Sequence, residues 1–310
     1  MTHKILVTLN LLSPAQQEEI RVKTFKKGYT VDFATGEEAL RLSENAEVLF
    51  SESLDCIRHA RNLRWLQVPS AGVDPYLDKT LYQRPETVLT CASGAYGVTI
   101  SEHVVMVLLE MMRKRMAYLA IVANHAWKRD LPIHAICGSR ITLLGTGDIG
   151  TCCATRLSAF APGRISGVNR SGRCPSPLFH EIVRSDDTPG LQALLARTDV
   201  LILSLPGTRE NRHFLDPSLI ACLPQDAFVI NVGRGSTIDQ EALLQRLRAG
   251  TLAGAALDVF ENEPPAKEDL FLSLDNVTIT PHMAGTTSDA FRHSPFLLSE
   301  KMIEALSHGE

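Results

Sequence analysis

Short apolar runs alternate with longer amphipathic stretches along almost the whole of this 310-residue chain, and the alternation happens twice. In the first series Ile5–Leu9, Thr30–Phe33, Val48–Phe50, Trp65–Val68 and Val88–Cys91 read as strands. Ser13 and Pro14 open a helix that runs toward Lys27, and Glu37–Ser43 reads as another. The second series begins at Arg140, with strands expected at Ile141–Leu144, Ile165–Val168, Val200–Leu205, Phe228–Val232, Gly254–Val259 and Val277–Thr280. Helical stretches such as Leu191–Arg197 and Gln240–Ala249 lie between them. Strands that alternate with helices pair in parallel, because parallel neighbours need a crossover that a tight turn cannot supply. The chain is therefore expected to be α/β, with two doubly wound parallel-sheet domains.

The two series are separated by a small, glycine-rich stretch, Ala92–Gly97, a plausible hinge. A strongly apolar helical segment, Ile100–Trp127, follows it. Its Met111, Met112 and Met116 read as core packing. The apolar surface of this segment, residues 100–127, exceeds what one face can bury, which points to a subunit interface. A last helix is expected over Ser288–His308.

The formal net charge is -4, so no global basic field draws the chain to nucleic acid or to a membrane surface. An anionic substrate then needs a local cationic pocket. Seven cysteines with no C-x-x-C pair are neither a disulfide framework nor a zinc pattern. They favour a reducing compartment and buried free thiols. No secretory leader is read at the N-terminus, no stretch has the length of a membrane span, and no histidine spacing suggests a metal site. A cytoplasmic enzyme without a metal is the expectation.

Gly145-Thr146-Gly147-Asp148-Ile149-Gly150 follows a strand-like run and precedes a helix-like one. Glycines there allow a tight turn and let backbone N–H groups and a helix N-terminus approach a pyrophosphate. This spacing alone is common by chance; the strand–turn–helix setting makes it a dinucleotide site. At the end of the next strand an NAD site carries an acid that accepts from the ribose 2′-hydroxyl. Here the stretch reads Asn169-Arg170-Ser171-Gly172-Arg173, with no acid between Asp148 and Glu181. A guanidinium can hold a 2′-phosphate through paired charge-assisted bonds. NADP (NADPH) is therefore expected in preference to NAD, with Asn169, Arg170, Ser171 and Arg173 at the phosphate.

Three further motifs place an arginine, a glutamate and a histidine after strands of the second series. Arg234 lies between Gly233 and Gly235, Glu263 in a proline-stiffened loop after Asp258, and His282 behind Pro281. Reduction of a 2-keto acid needs the carboxylate held, the carbonyl polarised and a proton delivered to the forming alkoxide. An arginine can do the first two. A histidine near neutral pH can do the third, and a carboxylate bonded to it would favour the protonated ring. Each residue alone reads as structural; in this order they form a catalytic set.

With these motifs the chain resembles the D-isomer-specific 2-hydroxyacid dehydrogenases. The likeness spans nearly the whole chain. It rests on Val68–Asp74 (VPSAGVD), the GTGDIG loop, Ser204–Thr208 (SLPGT), Asn231–Gly235 (NVGRG), Gly254–Pro264 (GAALDVFENEP) and Thr280–Gly285 (TPHMAG). The Asn-Arg-Ser loop and the Ser-Ala-Gly-Val-Asp run look most like the NADPH-dependent glyoxylate/hydroxypyruvate reductase branch. The resemblance implies that Arg234, Glu263 and His282 are the catalytic set. It also implies that the backbone of Ser70, Ala71, Gly72 and Val73 binds the substrate carboxylate. Leu205, Pro206, Val232 and Gly233 would line the cofactor, with Asp258 near the nicotinamide carboxamide. Its architecture implies a Rossmann nucleotide-binding domain, residues 98–284, inserted in a flavodoxin-like substrate domain formed by 1–97 and 285–310. A small 2-keto acid, such as glyoxylate or hydroxypyruvate, would be reduced to a D-2-hydroxy acid. Two other readings share the fold: a nucleotide-sensing, co-repressor-like binding protein, and an NAD-dependent phosphite-type oxidation.

Overall fold

The computed structural model describes residues 3–10, 12–26 and 28–286; Lys27 and the helix expected over Ser288–His308 lie outside them. The described chain forms two compact units, one taking in the residues up to Tyr96 together with Thr286, the other Gly97–Gly285.

The first unit runs β1 (His3–Val7), α1 (Pro14–Phe25), β2 (Tyr29–Phe33), α2 (Gly36–Ser43), β3 (Val48–Phe50), α3 (Leu54–His59), β4 (Trp65–Gln67) and β5 (Val88–Thr90). The strands form one parallel sheet in the order β2-β1-β3-β4-β5, the flavodoxin-like arrangement. Alternate residues serve opposite faces. Leu6, Leu49 and Leu66 pack into one cluster, while Ile5, Val7, Val48 and Phe50 pack into another. The sheet is thus covered on both sides, which explains why its strands read as apolar runs rather than alternating ones. Ser13 closes a capping box on α1. Its hydroxyl accepts the Gln16 N–H at 3.3 Å, and the Gln16 side chain accepts the Ser13 N–H at 2.9 Å. Such a cap contributes about 1 kcal/mol.

The second unit runs α4 (Gly97–Met112), α5 (Arg115–Ala123), β6 (Arg140–Leu144), α6 (Asp148–Ser158), β7 (Arg164–Asn169), β8 (Glu181–Arg184), α7 (Thr188–Leu195), β9 (Val200–Leu203), α8 (Pro217–Cys222), β10 (Phe228–Asn231), α9 (Gln240–Arg248), β11 (Gly254–Leu257) and β12 (Val277–Ile279). Its sheet is parallel throughout, in the order β12-β11-β10-β9-β6-β7-β8. Counted from β6, this is the dinucleotide-binding order with one more strand, and the connection reverses direction between β6 and β9. Every residue of β9, β10 and β11 is buried.

The structure corrects the long helix expected over Ile100–Trp127. The chain breaks between α4 and α5 at Lys114, whose φ of 51° lies in the left-handed region that a helix cannot continue through. Trp127 lies beyond α5 and is 86% exposed. Met111 and Met112 are buried on α4 as expected, but Met116 is 60% exposed, and α5 buries none of its residues. Three short elements escape a periodicity reading: α3, α8 and the edge strand β8, whose charged ends mask its apolar middle. Among the described residues no helix is long and apolar enough to cross a membrane.

Candidate active site

The strands β10, β11 and β12 are neighbours in the sheet and run the same way, so their carboxyl ends lie side by side. Arg234 follows β10, Glu263 follows β11 and His282 follows β12. Ligands of such sheets bind outside the carboxyl ends. His282 Nδ1 lies 2.6 Å from Glu263 Oε2, an ion-pair and hydrogen-bond distance, and both side chains remain partly open to solvent. The other carboxylate oxygen of Glu263 accepts the Phe260 N–H at 2.9 Å. The carboxylate is therefore fixed at both ends. With Nδ1 engaged, Nε2 is the ring nitrogen left to exchange a proton.

The backbone at His282 is held in the left-handed region, with φ of 50°. A non-glycine residue there costs roughly 1–2 kcal/mol, so something else must hold it. Asp258 does so. Its backbone carbonyl accepts the His282 N–H at 2.9 Å, and its carboxylate accepts the N–H groups of Met283 (2.9 Å) and Ala284 (3.0 Å). The Thr280 hydroxyl also donates to Asp258, at 2.6 Å. That leaves the Thr280 oxygen to accept from His103 Nε2 at 3.2 Å, on α4. Burial pushes the His103 imidazole below the ordinary histidine value, against the fields of Asp258 and Glu110. Asp258, which the resemblance implies lies near the nicotinamide carboxamide, anchors the histidine loop.

Arg234 is set by its own loop. Its carbonyl accepts from Asn231 Nδ2 (3.0 Å) and the Thr237 hydroxyl (2.6 Å), and its Nη1 donates to the Gly233 carbonyl at 2.8 Å. A Cβ at Gly235 would collide with the Phe260 carbonyl and the Glu261 nitrogen, so only glycine lets this loop rest on the one that carries Glu263. Val232 and Gly233 are buried at the start of the loop, and Gly233 packs against the Leu205 backbone, followed by the exposed Pro206.

The glycine loop fits a pyrophosphate. Gly145 has φ of 97°, and a Cβ there would stand 2.9 Å from the Ser204 hydroxyl. Gly147 faces open space and caps α6 with no side chain, so the first N–H groups of that helix are offered outward. Thr146 and Gly150 are buried, Ile149 is half-buried, and the Asp148 carboxylate lies against Cys152. At the end of β7, Asn169 organises its own turn. It donates to Thr146 Oγ1 (2.7 Å) and the Arg173 carbonyl (2.9 Å), and accepts from the Gly172 N–H (2.7 Å) and the Ser171 hydroxyl (3.2 Å). Arg170, Ser171 and Arg173 are left exposed. Sequence reading found no acid near them, yet the fold supplies one. Glu210, on the loop after β9, is held below the usual carboxylate range by its own backbone and by Thr208, with Arg170 and Arg209 adding to the shift.

Ser70, Ala71, Gly72 and Val73 belong to the other unit. There the Ser70 hydroxyl donates to the Gly72 carbonyl at 2.6 Å, and the Val73 carbonyl accepts from Tyr76. Among the described residues no group of three histidine, cysteine or acidic side chains could hold a metal.

A parallel sheet of this order, with a glycine loop at its reversal point and side chains gathered at its carboxyl edge, is the nucleotide-binding architecture of the α/β dehydrogenases. Residues 105–284 match the model of the D-isomer specific 2-hydroxyacid dehydrogenase NAD-binding domain, and the chain belongs to that family of oxidoreductases. Among curated relatives, a glyoxylate/hydroxypyruvate reductase of Arabidopsis thaliana is 33% identical over 236 residues, 75% of this chain and 70% of the relative. A D-isomer specific 2-hydroxyacid dehydrogenase family protein of Aeromonas salmonicida superposes with a TM-score of 0.82 at 29% identity, covering 100% of this chain and 97% of its own. The NADPH-dependent glyoxylate/hydroxypyruvate reductase of Sinorhizobium meliloti, solved with NADP and sulfate, gives 0.80 at 28% identity, covering 99% of this chain and 96% of its own.

Proposed function

We propose that this enzyme reduces small 2-keto acids of the glyoxylate and hydroxypyruvate kind to D-2-hydroxy acids with NADPH. The observation that carries the reading is the 2.6 Å contact between His282 and Glu263 at the carboxyl edge of the sheet, with Arg234 on the adjoining strand. Arg234 binds the substrate carboxylate and polarises the carbonyl. Bound NADPH supplies the hydride to C2. His282 gives its Nε2 proton to the oxygen that gains charge, while Glu263 holds Nδ1 and steadies the ring as it passes the proton on. The backbone of Ser70–Val73 is assigned to the carboxylate by the resemblance alone.

For the cofactor, the N–H groups of Gly145–Gly150 and the start of α6 take the pyrophosphate, and Arg170 and Arg173 the 2′-phosphate. Leu205, Pro206, Val232 and Gly233 would line the cofactor cleft, with Asp258 near the nicotinamide carboxamide. The named NADPH dependence of the Sinorhizobium meliloti reductase supports this preference. The exposed apolar side chains of α5 support a homodimer. All seven cysteines are free thiols, in keeping with a reducing, cytoplasmic setting.

The test is the absorbance loss of NADPH and of NADH with glyoxylate, hydroxypyruvate, pyruvate and phenylpyruvate, with chiral analysis of the product. Turnover favouring NADPH and yielding the D-isomer is expected. No turnover with any of the four, or oxidation of phosphite with NAD instead, would end the reading.

A further inference from the structure

Glu261, two residues before Glu263, receives two nitrogen-bearing partners, Arg212 and His213, from a different loop. Its Oε1 is bonded by Arg212 Nη2 and lies 3.3 Å from His213 Nε2. Arg212 and His213 end the loop that follows β9. That loop is in turn stitched to the one carrying Arg234. The His213 N–H donates to the Ser236 carbonyl at 2.8 Å, and Leu215 N–H to Thr237 at 3.0 Å. The third side is closed where Gly235 rests on the backbone of Phe260 and Glu261. We infer that Arg212, His213 and Glu261 are positioning residues, a lock that joins the loops after β9, β10 and β11 and sets Glu263 against His282.

The arrangement has little value as a stability device, because partly exposed ion pairs contribute little to folding. Its effect is geometric. Phe260, whose N–H fixes one oxygen of Glu263, is the residue before Glu261, so the ion pairs hold the short turn that presents the Glu263 carboxylate. Freed at Glu261, that turn would keep the packing of Phe260 in the core and against Gly235 and the 3.4 Å contact of the Glu261 N–H with Gln240, but it would lose its side-chain tie to the loop after β9. His213 also sits at φ of 48°, with its N–H bonded to the Ser236 carbonyl and its ring beside Glu261 and Asp239.

The inference rests on the reading that His282 delivers the proton, so its test has two independent readouts. The variants are Glu261→Gln and His213→Asn; asparagine tolerates the left-handed backbone, so the second leaves the fold undisturbed. A lapse in placement by a fraction of an ångström should lower kcat roughly ten- to hundredfold with the keto-acid KM and the NADPH affinity unchanged. The second readout is NMR of isotope-labelled histidine in the enzyme without substrate. The Nδ1 proton of His282, assigned with His282→Gln, should appear strongly deshielded in the wild type. It should be lost in Glu263→Gln and moved upfield or broadened in both lock variants. A wild-type resonance and wild-type kcat in Glu261→Gln and His213→Asn would overturn the lock. If the unmodified enzyme turns over no keto acid while the resonance still responds to the lock variants, the functional reading fails and the lock stands.

Discussion

The Glu263 carboxylate and the His282 imidazole meet at 2.6 Å although they follow different strands, and each is pinned by backbone from behind. Phe260 N–H holds Glu263, and Asp258 holds the left-handed turn at His282. The pair is held by the protein's own backbone, the fixed placement that the proposed proton delivery requires.

Removing His282, the proposed proton donor, should show in turnover and not in cofactor binding. His282→Ala is expected to lower kcat on the order of a hundredfold to ten-thousandfold, with the NADPH Kd from fluorescence titration unchanged. Glu263→Gln keeps a hydrogen-bond acceptor but loses the charge, and should fall between wild type and His282→Ala. Near-normal turnover in His282→Ala would remove it as the donor.

Cofactor choice should hinge on the exposed end of β7. Arg170→Asp should weaken NADPH roughly ten- to hundredfold, the worth of a charge-assisted bond, and shift preference toward NADH. Because Glu210 shares the field of Arg170, Glu210→Gln should tighten NADPH. The contrary result, equal use of both cofactors by the unmodified enzyme, would discard the arginine assignment.

His103 links the histidine loop to pH. Its folded pKa is depressed by burial, so the native state binds fewer protons than the unfolded chain. Stability is complete above the ordinary value of 6.5 and declines as pH falls from there toward the lowered folded pKa, by at most about 1.4 kcal/mol per pH unit. Urea unfolding midpoints from neutral to mildly acidic pH should show this decline, and His103→Gln should flatten it. An equal slope in both proteins would assign the acid sensitivity elsewhere.

The apolar face of α5 predicts association. Met116, Leu119 and Val122 are exposed at 60%, 42% and 59%, and no residue of that helix is buried. Sedimentation should find a dimer, and Leu119→Lys should weaken it on the order of thirtyfold if this residue is central to the contact. A wild-type chain that stays monomeric at high concentration would contradict the interface.

The two parallel sheets were legible because strands buried on both faces appear as unbroken apolar runs. Leu201 and Val229 sit in such runs, and the strands expected around them differ from β9 and β10 only by one or two residues at the C-terminal end. The edge strand β8 carries charge at both ends and was missed. The break at Lys114 was invisible because no glycine or proline announces it, and a lysine does not mark the left-handed turn it adopts. Of the seven cysteines only Cys56 and Cys153 are buried, and Cys137 and Cys174 are exposed, so the expectation of buried thiols holds for the minority: spacing carries no information on which side chains the fold covers.

What the sequence by itself determined is the local chemistry: strand and helix periodicity, the glycine turn before α6, the Ser13 cap, and an arginine, a glutamate and a histidine each placed after a strand. Only the tertiary structure decided which of these groups touch. Arg212 and Glu261 are 49 residues apart, and Glu263 and His282 are 19 apart. Glu210 enters the field of Arg170 from a separate loop, and Asp258 turns out to hold the backbone of the histidine loop. Such pairings depend on strand order in the sheet, and that order follows from burying both its faces at once, a constraint that no single stretch of the chain carries.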